Sequence, residues 1–276
     1  MSAWLETVGV IFVALSGIAL GRVFSRLSKR YWTLGYFLPC MLISTLVIAR
    51  WVNPLAFVPP FLWLTTSRAK FVVLALAVTM GLTTPMSRLP RKCEKLVICL
   101  LMIMVVGWFS VMPFLVPALI RDRLSRLSTK VDPEGVCYQT TDYTCAPAAA
   151  VTALRKLGLP ADEGEIAILS RTSPVAGTLP GCLEAALEHR YRSEGLKCQY
   201  RYFDSISQLR DAGLTLAVVR DAFLSDHCVA VLEVLDRMVV IADPAGGRQL
   251  ISHEHFEEIW RFTGIVLRRE ASLGGA

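Results

Sequence analysis

The chain has 276 residues, room for two units of ordinary size, and 54% of it is hydrophobic. The net charge of +6 hides an asymmetry: residues 1–130 hold 15 Lys+Arg against 3 Asp+Glu, a net of +12, and residues 131–276 hold 14 against 20, a net of −6. The basic residues of the first half sit in clusters between apolar runs, as membrane proteins place them. No basic stripe with interleaved aromatics appears in the polar half, which argues against a nucleic-acid partner.

Four apolar segments stand out, near residues 4–21, 31–49, 69–86 and 96–120. A helical span needs roughly 17–25 mostly apolar residues. The first segment is short and carries Glu6, and no positive residue precedes it, unlike a signal peptide. Gly17 and Gly21 form a small-xxx-small pair that lets another helix approach. Leu55–Thr66 is too short to span, is interrupted by Pro59-Pro60, and reads as re-entrant or interfacial. Tyr31, Trp32, Trp51, Trp63 and Trp108 read as interfacial anchors or lipid-facing packing.

Basic loops set the orientation. Arg22, Arg26, Lys29 and Arg30 follow the first span; Arg88, Arg91, Lys92 and Lys95 precede the fourth. Placing both loops in the cytoplasm, with four spans, leaves the C-terminal half outside. Arg50, Arg68, Lys70, Arg121, Arg123, Arg126 and Lys130 oppose this, so the first span carries the assignment; a crossing at Leu55–Thr66 would reverse it. The chain is expected to be integral to a bacterial cytoplasmic membrane, with the lipid bilayer as a partner.

Residues 121–130 read as a basic juxtamembrane linker between a transmembrane domain at 1–120 and a polar domain at 131–270. Helices are predicted at Thr144–Leu157, with Pro147 in the first turn and Gly158 as the stop, then at Asp162–Ser170 and at Pro180–Arg190, capped by Thr178. Strands follow at 196–203, 214–220, 227–234 and 238–242, with a short helix at 205–212 between the first two. Ala245-Gly246-Gly247 reads as a turn, Ser252–Trp260 as a helix and Thr263–Arg268 as a closing strand. The fold class is therefore an α-helical membrane domain of about four transmembrane helices, then an α+β domain.

Four residues of the polar domain form a candidate site. Gln139 precedes Cys145 by six positions; His227 lies in Asp-His-Cys-Val-Ala-Val; Asp243 lies in Ile-Ala-Asp-Pro-Ala-Gly-Gly. A thiol attacks as the thiolate, which a helix start favours through its unpaired N–H groups and dipole. His227 would take the thiol proton and later pass it to the leaving amine, and Asp243 would orient and stabilise the imidazolium. Gln139 could donate its amide to the oxyanion, a contact typically worth about 3–4 kcal/mol. Each residue also has an ordinary reading: a buried small thiol, a structural histidine, a turn aspartate. Their order and context together favour a cysteine peptidase.

Metal chemistry is a poor alternative. His253 and His255 do not share a helix face, and no Cys-x2-Cys pair exists. No cofactor is expected. Of eight cysteines, Cys137, Cys145, Cys182, Cys198 and Cys228 lie in the polar domain, where a Cys182–Cys198 disulfide is conceivable outside the cytoplasm.

Residues 136–268 resemble peptidase family C39, the papain-like domain found on bacteriocin-exporting ABC transporters. Gln139–Gly158, the His227 strand, Ile241–Gly247 and Phe256-Glu-Glu-Ile-Trp260 carry the resemblance. It implies Cys145 as nucleophile, His227 as base, Asp243 as orienting acid and Gln139 as oxyanion donor, with a peptide or protein as substrate. The family's transporter members cut leader peptides after Gly-Gly. Two features depart from that pattern: Ala146 stands where Gly is frequent, and no Gly-x4-Gly-Lys-Ser/Thr phosphate loop occurs. The expected function is thus a membrane-anchored cysteine endopeptidase. The alternative is a catalytically silent domain that binds leader peptides for a separate ABC exporter. Acyl transfer to an amine in place of water is left open.

Overall fold

In a computed structural model of the chain, the described residues are 3–59, 61–222 and 226–270. Pro60 and the side chain of Trp51, both singled out above, lie outside them. The chain divides into two compact units, Met1–Leu119 and Ile120–Ala276.

The first unit is helical: α1 (Ala3–Arg26), α2 (Lys29–Trp51), α3 (Phe61–Thr66), α4 (Ala69–Met86), α5 (Lys92–Val106) and α6 (Met112–Leu119). A π turn at Gly107–Val111 joins the last two into one run, Lys92–Leu119. Four helices are long and apolar enough to cross a membrane: Trp4–Arg26, Tyr31–Ile48, Ala69–Met86 and Lys92–Leu119. The stretch after α2 is a 3-10 turn at Asn53–Phe57 followed by the six-residue α3.

Two sequence features find their cause here. Gly17 and Gly21 let α1 lie close against α4: a Cβ on Gly17 would strike Thr79, and one on Gly21 would lie 2.7 Å from Thr83 Cβ and 2.9 Å from the Met80 carbonyl. Glu6, out of place in an apolar span, pairs with Arg68 at 2.6 Å, both side chains being 11% exposed. Arg68 also donates to the Pro113 carbonyl at 2.6 Å and stacks 4.0 Å over the Phe114 ring. The cation thus ties α1 and α6 to the start of α4. Removing one partner of such a pair leaves a buried charge uncompensated.

The second unit starts with α7 (Arg121–Leu124) and a small ladder of β1 (Lys130–Val131) and β2 (Cys137–Tyr138). Then come α8 (Cys145–Lys156), α9 (Glu163–Leu169), α10 (Pro180–Tyr191), β3 (Leu196–Tyr202), α11 (Ile206–Ala212), β4 (Thr215–Arg220), β5 (Asp226–Val234), β6 (Met238–Asp243), β7 (Gly247–Ser252), α12 (His253–Ile259) and β8 (Trp260–Arg269). The large strands form one antiparallel sheet in the order β3-β8-β4-β5-β6-β7. The fold is α+β, as the element pattern predicts.

Strand alternation separates two cores. Cys228, Ala230 and Ala242 face α8, α9 and α10; Val229, Val231 and Ile241 face α11 and α12. On α8, Ala148, Ala149, Ala150 and Ala153 are fully buried, and their small side chains let the helix pack closely in the core it shares with the sheet. The other face is anchored by Trp260, stacked on Phe262 and in tilted contact with Phe203 and Phe256 at 4.8–5.4 Å between ring centroids, with its Nε1–H bonded to the Thr263 carbonyl at 3.1 Å.

Three local expectations need correction. Thr178 does not cap α10; its hydroxyl bonds Thr172 at 2.6 Å, and Leu179 occupies the cap with no side-chain bond. Gly247 opens the strand β7, which the Gly-Gly pair concealed by reading as turn alone. No disulfide joins Cys182 to Cys198, and Cys198 is buried in the sheet core. Within residues 121–130, Leu124 is buried, and its carbonyl lies where a side chain on Gly164 would be.

Gly21→Leu should overpack the α1–α4 contact, costing about 1–3 kcal/mol. In detergent this should read as a lower thermal midpoint for helix loss. An unchanged midpoint would mean the contact contributes nothing.

Candidate active site

Each of the four sequence-predicted residues is placed by a different local device; His227 and Asp243 are hydrogen-bonded, and the Cys145 side chain lies beside the ring. Cys145 is the first residue of α8 and half-buried. Thr144 precedes it, but its hydroxyl turns back to the Thr141 carbonyl at 3.0 Å and accepts the Thr141 N–H at 3.1 Å. It therefore makes no side-chain cap on α8. The first N–H groups of a helix have no intrahelical acceptor, so the start of α8 keeps donors free beside the thiol.

His227 sits near the start of β5 and Asp243 at the end of β6. The ring Nε2 and Asp243 Oδ1 are 2.6 Å apart. The Cys145 side chain lies near enough to the ring to act on its charge. With Nε2 engaged by the carboxylate, Nδ1 is the nitrogen left for sulfur. Burial works against a charged imidazole, but the bond to Asp243, the Cys145 side chain and the charges of both outweigh it, raising the ring's pKa from 6.5 to about 10. Burial likewise works against the Asp243 carboxylate, yet the His227 bond and the Ala245 N–H, 2.9 Å from Oδ1, hold its pKa below the ordinary value.

The turn after Asp243 explains the glycine pair. A Cβ on Gly246 would strike the Gln249 amide and lie 3.2 Å from Asp243 Oδ2. Gly247 has φ +79°, and a Cβ there would lie 2.6 Å from the Tyr138 hydroxyl. Both positions need the missing side chain, the second also for its backbone. Tyr138 leads directly to Gln139, whose N–H donates to the Pro244 carbonyl at 3.0 Å. The Gln139 segment is thereby pinned to the same turn that carries Asp243. Gln139 Oε1 is buried without a hydrogen-bond partner among the described residues.

Sequence reasoning missed Glu163. It reads there as one more acid in a helix first turn, but it is fully buried at the start of α9. Its carboxylate accepts the Thr140 N–H at 2.8 Å and the Thr140 hydroxyl at 2.6 Å. Thr140 follows Gln139, so Glu163 holds one side of that residue while the Asp243 turn holds the other. No local pattern could have signalled this, because the partners are 23 positions apart.

The remaining thiols of this unit sit in a different setting. Burial, with Glu163 second, pushes Cys137 up to about 12; burial, with Glu188 second, does the same to Cys198. Burial and the neighbouring Cys145 hold Cys228 well above its ordinary value. Among the described residues no group of His, Cys, Asp and Glu could hold a metal ion.

Two relatives match the second half. An uncharacterized protein of Methanothermobacter thermautotrophicus is 33% identical over 141 residues, 51% of this chain and 92% of its own. Another, from Methanothermobacter marburgensis, is 33% identical over 137 residues, 50% of this chain and 90% of its own. Among solved structures, the peptidase domain of Streptococcus ComA, a bifunctional ABC transporter of a quorum-sensing pathway, aligns with a TM-score of 0.42 at 20% identity, covering 48% of this chain and 96% of that one. A double glycine motif protease from an AMS/PCAT transporter, in complex with the leader peptide, aligns with a TM-score of 0.41 at 18% identity, covering 53% and 96%. The model of the peptidase C39 family matches residues 134–272, half of the sequence, and the chain belongs to that family.

Proposed function

We propose that the protein is a membrane-anchored cysteine endopeptidase, held in the bilayer by its four long apolar helices. The observation that carries this reading is the His227–Asp243 bond at 2.6 Å, with the Cys145 side chain acting on the same imidazole. A structural histidine needs one such partner; a nucleophile with its base and orienting acid needs both.

The chemistry follows from the geometry. His227 takes the Cys145 proton, and sulfur attacks the scissile carbonyl. The oxyanion is met by the Gln139 amide and by the Cys145 N–H, which has no acceptor within the helix. His227 then gives its proton to the leaving amine, freeing the C-terminal fragment. Water attacks the thioester with His227 as base, releasing the N-terminal fragment and restoring the thiol. Asp243 keeps the ring oriented and stabilises its charge throughout. No step calls on a cofactor. Leader peptides are the substrate class that family membership favours, and a separate ABC exporter is the corresponding partner.

At neutral pH iodoacetamide should alkylate Cys145 in detergent-solubilised protein faster than Cys137, Cys198 or Cys228, and His227→Ala should abolish the advantage; peptide mass spectrometry reads the rates. Cys145→Ala should remove peptidase turnover. His227→Ala should cost more than Asp243→Asn, and Gln139→Ala about 10²–10³-fold in kcat. A Cys145 that labels no faster than the buried thiols would transfer the assignment to the silent leader-binding reading.

Glu163 should behave as a positioning residue. Glu163→Ala removes the acceptor of both the Thr140 N–H and the Thr140 hydroxyl, and loosens Gln139. The expected signature is a fall in kcat with KM within about twofold, since a transition-state contact is lost. Glu163→Gln, which keeps an acceptor oxygen, should recover most of kcat. Equal loss in both variants would rule the role out.

The His227 shift has a pH consequence. A pKa raised in the folded state contributes stability that is complete below about 6.5 and disappears as pH climbs through about 10. The stability gap between wild type and His227→Ala should therefore be widest near pH 6 and narrow steadily towards pH 10. Thermal or denaturant midpoints at stepped pH measure it, and a gap that grows with pH would contradict the assigned charge state.

A further inference from the structure

A cleft of about 170 Å³ opens behind the His227–Asp243 pair. Its floor is aliphatic: Val219, Val229, Ile241, Ile251 and Ile259. Its rim carries His227, Asp243, Arg220, Asp221, Gln249 and His255, while neither Cys145 nor Gln139 lines it. Strand parity accounts for this placement. His227 lies two residues before Val229 and Asp243 two after Ile241, so both stand on the α11/α12 face of the sheet, whereas α8 packs on the opposite face. The imidazole is the partition between sulfur and cleft.

That position assigns the cleft to one half of a substrate. In the mechanism above, the acyl half of the scissile bond is held by Cys145 and Gln139. The amine half receives its proton from His227, so its nitrogen must come within hydrogen-bond distance of the ring. The side chain of the residue that contributes this nitrogen begins one bond away. Of the groups around it, only the imidazole is shared between the reacting atoms and the cleft.

We infer that the cleft bounded by Val219, Val229, Ile241, Ile251 and Ile259 is the subsite for the first residue after the scissile bond, and that it selects a branched aliphatic side chain. This inference rests on the peptidase reading and deepens it. Size and chemistry agree. An apolar cavity of about 150 Å³ holds a group as large as benzene, so this cleft takes Val, Ile or Leu. The floor offers no polar partner, so a charged or amide side chain would lose its hydration without replacement. The rim sets Arg220 and the two imidazoles against the carboxylates of Asp221 and Asp243, with the Gln249 amide beside them, which suits the peptide backbone passing over it better than a net charge on the ligand.

The test uses the full chain in detergent with tryptic peptides from a bacterial lysate, and mass spectrometry to locate cuts that vanish in Cys145→Ala. Val, Ile and Leu should be enriched immediately after the cut. In a synthetic version of the best peptide, replacing that residue by Ala should lower kcat/KM at least about tenfold. Ile259→Ala, which enlarges the floor, should shift the preference towards Phe; Ile251→Phe, which fills it, should shift it towards Gly and Ala. Both sites are half-buried, so the fold should tolerate them. Cys145-dependent cuts with a flat or charged preference after the scissile bond would overturn the subsite and leave the peptidase reading standing. An absence of any Cys145-dependent cut, with Cys145 labelling like the buried thiols, would overturn the peptidase reading and the subsite with it.

Discussion

The hydrogen bond between His227 and Asp243 depends on a single irregularity in the sheet. Near the hairpin, Val234 pairs with Val239 and Glu233 with Val240; beyond it, Val231 pairs with Ile241 and Ala230 with Ala242. One extra residue, Leu232, has been inserted on β5. Residues directly opposite in a ladder share a face, and a one-residue slip moves every side chain to the other. In the observed register Asp243 falls beside Val229, two residues from His227 and on the same face. Without the bulge it would fall beside Ala230, three residues away and on the opposite face. The bulge thus decides whether the imidazole has a carboxylate at all, in keeping with the way bulges re-aim side chains beside active sites.

Around that bond the unit is built from close approaches that small residues permit. The alanine face of α8 brings the helix start down to the end of the sheet, so that Cys145 reaches the ring from one side. Gly246 and Gly247 bring the turn against Asp243 and Tyr138, and Tyr138 carries Gln139 to the same turn. Glu163 closes the arrangement from α9. Four segments remote in sequence therefore converge on one end of one sheet, each held by backbone hydrogen bonds rather than by side-chain packing alone. Catalytic geometry requires that kind of support, because a displacement of an ångström is costly in rate.

The helical unit follows a related logic. Gly17 and Gly21 remove side chains where α1 meets α4, and a buried Glu6–Arg68 pair sits among apolar helices with the Phe114 ring and the Pro113 carbonyl as further partners. A charge in such surroundings persists only when it is paired and hydrogen-bonded.

Much was legible from the chain alone, and the reason is locality. Span-length apolar runs, proline and glycine punctuation, a helix starting at Cys145 and alternating strands are properties of contiguous residues. The types Cys, His, Asp and Gln in that order sufficed to nominate the site, because few chemistries use them together. What contiguous residues could not decide was contact between distant segments. The strand Gly247–Ser252 was hidden behind a glycine pair, and Thr178 found a partner in Thr172 in place of a helix end. Glu163 became a support for Gln139 only once α9 was packed against the loop. Above all, the face on which Asp243 stands depends on pairing register, which a bulge of one residue inverts and which no property of either strand by itself contains.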